Sequence, residues 1–169
     1  MMCEFEALKR QYVNAMCARI PDDLADLREE VAEFVTFRAV AEWGVMWSAD
    51  NIAFLVNVGL PASAPTMMEF RAPAEANLEH ICIGCNNYGD RIVVQKASGN
   101  VAYINHDCDD RIEYMNRDAI SLFRSICAFA DMMSGQTGFA ETMAAIDPKA
   151  IHEDRWWHRE YNSWVNNRD

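Results

Sequence analysis

From residue 78 onward, short apolar runs alternate with turn-forming residues. Ile81, Cys82 and Ile83 lead to Gly84, Ile92, Val93 and Val94 form a second run, and residues 101–104 and 112–115 form two more. Gly89-Asp90, Ala97-Ser98-Gly99-Asn100 and His106-Asp107-Cys108-Asp109-Asp110 separate them. Apolar runs bounded by Gly, Asn and Asp predict antiparallel strands joined by tight turns, with Gly99 free to take positive φ. Val93 and Val94 are adjacent and apolar, which predicts a central strand covered on both faces. Beyond Asn116 the spacing changes. Ile120, Phe123, Ile126, Cys127 and Ala130 recur every three or four residues, which predicts one helix with an apolar stripe, capped by Asn116 with Asp118 in its first turn.

The remaining elements are predicted on the same grounds. Residues 5–17 read as a short helix. A stronger helix is expected from Asp22, with Leu24, Leu27, Val31, Phe34 and Val35 on its apolar face and Gly44 as its latest end. Ser48 or Asp50 caps a short helix through Ile52, Leu55 and Val56, stopped by Gly59-Leu60-Pro61. Residues 62–65 read as a loop, 67–71 as a strand and 73–77 as a connector. Residues 139–146 form another short helix, and the tail carries Trp156, Trp157, Tyr161 and Trp164 at helical spacing. This order predicts an α+β fold: an antiparallel β-sheet of about five to six strands packed by several α-helices. Residues 1–47 are expected to be a helical N-terminal extension packed on the core domain of residues 48–169, the whole forming one compact unit.

Charge narrows the partners. The 169 residues carry a formal net charge of −11, which disfavours phosphate backbones and favours a basic protein partner. Acids concentrate at residues 22–33 and 107–113, although a solvated helix face and a polar turn would give the same runs. No apolar run is long enough for a membrane span, and residues 1–10 lack the apolar stretch of a secretory signal. The expectation is a cytoplasmic protein whose six cysteines are thiols.

Candidate chemistry is sparse. Cys82-x-x-Cys85 with His80, His106 and Cys108 has some zinc-ligand types, but the second Cys-x-x-Cys pair is missing. His106-Asp107 lacks a neighbouring nucleophile motif, His152 and His158 are not on one helix face, and no phosphate-cradling glycine loop occurs. Glu69, Glu75 and Glu79 suggest no carboxylate dyad. No catalytic residue, cofactor or metal is expected, and the chain reads as a binding module rather than an enzyme. Two adjacent tryptophans cannot both point straight inward from one helix, so Trp156 is a candidate surface anchor.

Several landmarks recur together in one family. They are FLVNVGLP (54–61), MEF (68–70), ICIGCNNYGDRIVVQKASGNVAYINHD (81–107), EYMNRDAISLFRSICAF (113–129) and AAIDPKAI with Trp156-Trp157. In this order they resemble the SUKH superfamily, in particular its fourth immunity subgroup, over about residues 49–165. The resemblance implies an α+β domain that binds and neutralises a cognate polymorphic toxin of nuclease or deaminase type by occlusion. It carries over no catalytic residue. A regulatory or scaffold module of the same fold is the alternative, and a homo-oligomer stays open. The partner surface expected from the residues joins the turn Asn86, Asn87, Tyr88 and Asp90 to the acidic turn Asp107, Asp109, Asp110 and Glu113, with Trp156 as a further anchor.

Overall fold

The computed structural model of the chain describes residues 2–38, 40–72 and 77–167. The meander forms as the turn chemistry predicts. Strands β5 (His80–Asn86), β6 (Arg91–Gln95), β7 (Val101–Asn105) and β8 (Arg111–Asn116) pair consecutively and antiparallel. Two short strands extend the sheet at one side, β3 (Ser63–Ala64) and β4 (Met68–Phe70), giving six strands in the order β3-β4-β5-β6-β7-β8. Residues 63–64, expected as loop, are therefore a sheet edge. A separate pair joins β1 (Phe34–Val35) to β2 (Leu60–Pro61). The fold is α+β. Of the expected connector at 73–77, only Asn77 lies within the described residues.

The helices are α1 (Met2–Cys17), α2 (Leu27–Val31), α3 (Ala49–Asn57), α4 (Ala119–Met133), α5 (Phe139–Ile146) and α6 (Trp156–Asn166). Ser48 caps α3, its Oγ accepting from the Asn51 N–H at 3.3 Å. Asp118, not Asn116, caps α4, accepting from the Ser121 N–H at 2.7 Å. Asn116 instead ends β8, fully buried. Its Oδ1 accepts from Trp157 Nε1 at 2.9 Å and its Nδ2 donates to Ser125 Oγ at 2.9 Å. Phe123, Ile126, Cys127 and Ala130 are buried as their spacing requires, but Leu122, Phe129 and Met132 are buried too. Helix α4 is enclosed because α1 and α5 pack on it beside the sheet. Polar ties lock α1 to it: Gln11 Nε2 donates to Asp131 Oδ2 at 2.6 Å, and Ser134 Oγ to the Ala15 carbonyl at 2.8 Å. Phe5 and Tyr12 of α1 belong to the same apolar cluster as Phe54, Ile81 and Phe123.

The single helix expected from Asp22 does not form. A 3₁₀ turn at Asp22–Leu24 and the short α2 leave Leu24 and Leu27 exposed, and Phe34–Val35 turn into β1. The gain that breaks the helix is tertiary. Phe34 sets its ring edge-on to Tyr12 and Phe123, at 5.9 and 5.7 Å between centroids, and β1 pairs with the strand after Gly59. Gly59 has φ of +80°, and a Cβ there would drive into the Val35 carbonyl. Gly59→Ala is expected to cost about 2–4 kcal/mol in a urea titration, from left-handed strain and overpacking together. A loss below about 0.5 kcal/mol would show that β1 yields freely, since ordinary surface changes fall in that range.

Candidate functional site

Two turns at one end of the sheet lie side by side. The β5–β6 turn (residues 87–89) is organised by Asn86, whose Oδ1 accepts from the Tyr88 and Asp90 N–H groups at 3.0 and 2.9 Å. The β7–β8 turn opens with a 3₁₀ turn, His106–Cys108, and closes with Asp109 and Asp110, both left-handed at φ of 52° and 54°. Aspartate tolerates that conformation better than most residues. Asp90 and His106 couple the turns: Asp90 Oδ1 accepts from the His106 N–H at 3.0 Å and sits 2.6 Å from His106 Nδ1. Arg91 Nη2 adds a bond to Asp110 Oδ1 at 3.1 Å.

Asp90 is the centre of this arrangement, and it is buried. Its Oδ2 accepts from the Tyr103 hydroxyl and, at 3.1 Å, from Asn86 Nδ2. Burial by itself would raise its pKa, but the bonds from Tyr103, His106 and Asn86 outweigh that and hold the carboxyl below the usual aspartate value. Burial, with the Asp90 carboxylate beside it, pushes the Tyr103 phenol up, so the phenol keeps its proton and remains a donor.

This geometry corrects part of the expected partner surface. Asp90 is a buried strut, and half-buried Asn86 spends its amide on Asp90, Tyr103 and the turn backbone. Glu113 is buried, with Oε2 2.5 Å from Arg159 Nη2 of α6. Trp156 is 4% exposed, so it is no surface anchor. Both tryptophans go inward because the first turn of α6 is wedged between layers: Trp156 faces Tyr103 at 6.0 Å and Trp157 faces Phe129 at 5.9 Å. Asn87, Tyr88, Asp107, Asp109 and Asp110 are exposed, with Tyr88 at 69%. The site that remains is one aromatic beside three carboxylates on two mutually braced turns.

The other face of the sheet carries a second set of apolar residues. Cys82, Val93, Ala102 and Ile104 form a second apolar cluster to which no helix among the described residues contributes. Register places Ile112 opposite Ile104 and Arg91 on that same face. The sequence signals for this face were Val93 beside Val94, both buried, and Ile112, an apolar residue between Arg111 and Glu113.

The cysteines do not gather around a metal. Among the described residues no group of three or more His, Cys, Asp or Glu side chains is placed to hold one. Burial pushes the Cys82 thiol up, and Cys85 Sγ lies 2.9 Å from Arg71 Nη2. The pair shares one face because the ladder is bulged between Cys82 and Gly84. No helix among the described residues is long and apolar enough to cross a membrane. Comparison with family models, with curated proteins and with solved structures finds no match.

Proposed function

We propose that this chain is a non-enzymatic immunity protein of SUKH type. It binds a basic, cognate protein toxin of nuclease or deaminase class and neutralises it by occluding its working surface. The observation that carries this reading is the pair of coupled turns, which present exposed Tyr88 next to Asp107, Asp109 and Asp110. An amphipathic aromatic on a braced turn loses little entropy on docking. Carboxylates around it attract a basic partner from a distance and raise the association rate more than the final affinity. The net charge of −11 acts in the same direction. The order of landmarks that resembles the SUKH superfamily points to the same function.

The test is co-purification with the tagged chain from its source cells, followed by an activity assay of what is recovered. A toxin domain recovered in about equal amount, and silenced by the chain, is the expected result. Recovery of housekeeping proteins alone would favour the regulatory or scaffold reading. With the toxin in hand, Asp109→Lys/Asp110→Lys should slow association about tenfold at low salt and much less at high salt. Equal rates at every ionic strength would remove acidic steering. Tyr88→Ala should act instead on dissociation, speeding it about tenfold in surface plasmon resonance.

A further inference from the structure

On one side of the six-stranded sheet no helix among the described residues joins the buried apolar cluster. Every helical residue in a buried apolar cluster among the described residues sits in the main core, whereas the second cluster consists of strand residues alone. Cross-strand register assigns that face two rows, Cys82–Val93–Ala102–Tyr114 and Cys85–Arg91–Ile104–Ile112, the first closed at Tyr114 by Asp147 at 2.7 Å and by Lys149 over its ring. Val93, Ala102 and Ile104 are buried, whereas Ile112 stands 47% exposed beside them.

Over this face opens a hollow of about 760 Å³, whose apolar lining includes Met46, Leu78, Ala97 and Ile112. Of the eight large apolar or aromatic side chains exposed among the described residues, three line it: Met46, Leu78 and Ile112. Single exposed apolar residues are ordinary, but a convergence of them over an apolar floor marks a contact surface. Charge identifies the kind of occupant. Glu79 lines the hollow, and β8, which carries Ile112, begins directly after the turn of Asp107, Asp109 and Asp110. The nearby cations are already engaged: Arg91 with Asp110 at 3.1 Å and Arg111 with Glu113 at 3.9 Å. Lys96 is the cation lining the hollow itself. A second copy is a poor fit, because a self-complementary contact would set this acidic turn near its own image, with −11 on each chain.

We infer that this sheet face is a docking surface for a basic protein segment with an apolar centre. It is seated over Ile112, Leu78 and Met46 and flanked by the acidic turn. The inference rests on the protein-binding reading above and adds the floor on which the partner sits.

The test uses the full chain and a defined probe: a fluorescein-labelled peptide alternating leucine with lysine, which presents an apolar face and basic side chains when extended. Fluorescence anisotropy should show saturable binding. Ile112→Thr and Leu78→Ser should each weaken it about tenfold, as loss of an apolar anchor does. Both side chains are exposed, Leu78 at 95%, so thermal melts of the variants should match the parent. A peptide alternating serine with lysine should bind far more weakly. Absence of binding, equal binding by the variants, or equal binding of the serine peptide would overturn the inference. So would a dimer in sedimentation that Ile112→Thr dissolves, which would assign the face to a second copy. Toxin neutralisation unimpaired in Ile112→Thr would remove the sheet face while leaving the immunity reading intact. Peptide docking on the face without any captured toxin would do the reverse.

Discussion

Replacing Trp157 with alanine should cost about 3–5 kcal/mol of folding stability, the range for deleting a buried large aromatic. Trp157 is fully buried, where α4, α6 and β8 meet. Its ring packs against Phe129 at 5.9 Å and edge-on to Trp156 at 4.7 Å. Truncation opens a cavity that a helix pinned at both flanks collapses into only partly. It also orphans a polar atom, because the indole N–H donates to Asn116 Oδ1 at 2.9 Å, deep in the core. An unpaired buried acceptor costs about 1–3 kcal/mol by itself. Trp157→Phe separates the two effects. It keeps most of the packing and loses the donor, so urea unfolding should place it about 1–3 kcal/mol below the parent and above Trp157→Ala. If both variants lie within 1 kcal/mol of the parent, α6 does not anchor the core.

Asp90→Ala is the second large effect, expected at about 2–4 kcal/mol, because one deletion strips several donors of a common acceptor. The Tyr103 hydroxyl, Asn86 Nδ2 and both the backbone and ring nitrogens of His106 converge on this carboxylate. On the proposed reading the substitution should also weaken partner binding, since Tyr88 and the acidic turn lose their common brace. Asp90→Asn tests the charge alone. The folded carboxyl titrates below 3.8, the ordinary aspartate value, so the unfolded chain takes up the proton first. The stabilisation is therefore complete above pH 3.8 and is lost as pH falls through the folded value. Within that window, as pH falls from 3.8 through the folded value, the parent should lose stability faster than Asp90→Asn. Parallel acid limbs for the two proteins would show that Asp90 is not held as an anion.

The meander and α4 were legible because local and long-range preferences agree there. Gly99, the Asn-rich turn before Gly89 and the alternating Ile and Val runs all favour the same hairpins. The stretch after Asp22 was misread because Leu24, Leu27, Val31 and Phe34 fit a helical period, while the deciding contacts, Phe34 on Tyr12 and β1 on β2, lie elsewhere in the chain. Asn116 has the composition of a cap. Only tertiary structure shows that its amide is needed by Trp157 and Ser125. Asp90 looked like a turn acid for the same reason. The clue to its burial was Tyr103 in the middle of an apolar strand, whose hydroxyl needs a partner. Trp156 was placed outside by reasoning about one isolated helix face, whereas the end of a wedged helix offers two. Of the predicted surface, the exposed residues of the two turns keep their place together. The hollow over Ile112 was not legible, because Met46 and Leu78 reach it from segments with no shared pattern.

The docking of α1 on α4 bears on how the protein is made. Gln11 and Asp131 are 120 positions apart, and so are Glu4 and Arg124, whose carboxylate and guanidinium meet at 2.5 Å. A ribosome adding roughly 5–20 residues per second needs about 6–24 s to cover that distance. Throughout that interval Phe5 and Tyr12 have no α4 to cover them. The nascent chain therefore carries the apolar face of α1, with Phe5 and Tyr12, uncovered until translation is well past the last strand, and that face is where a ribosome-bound chaperone would hold on.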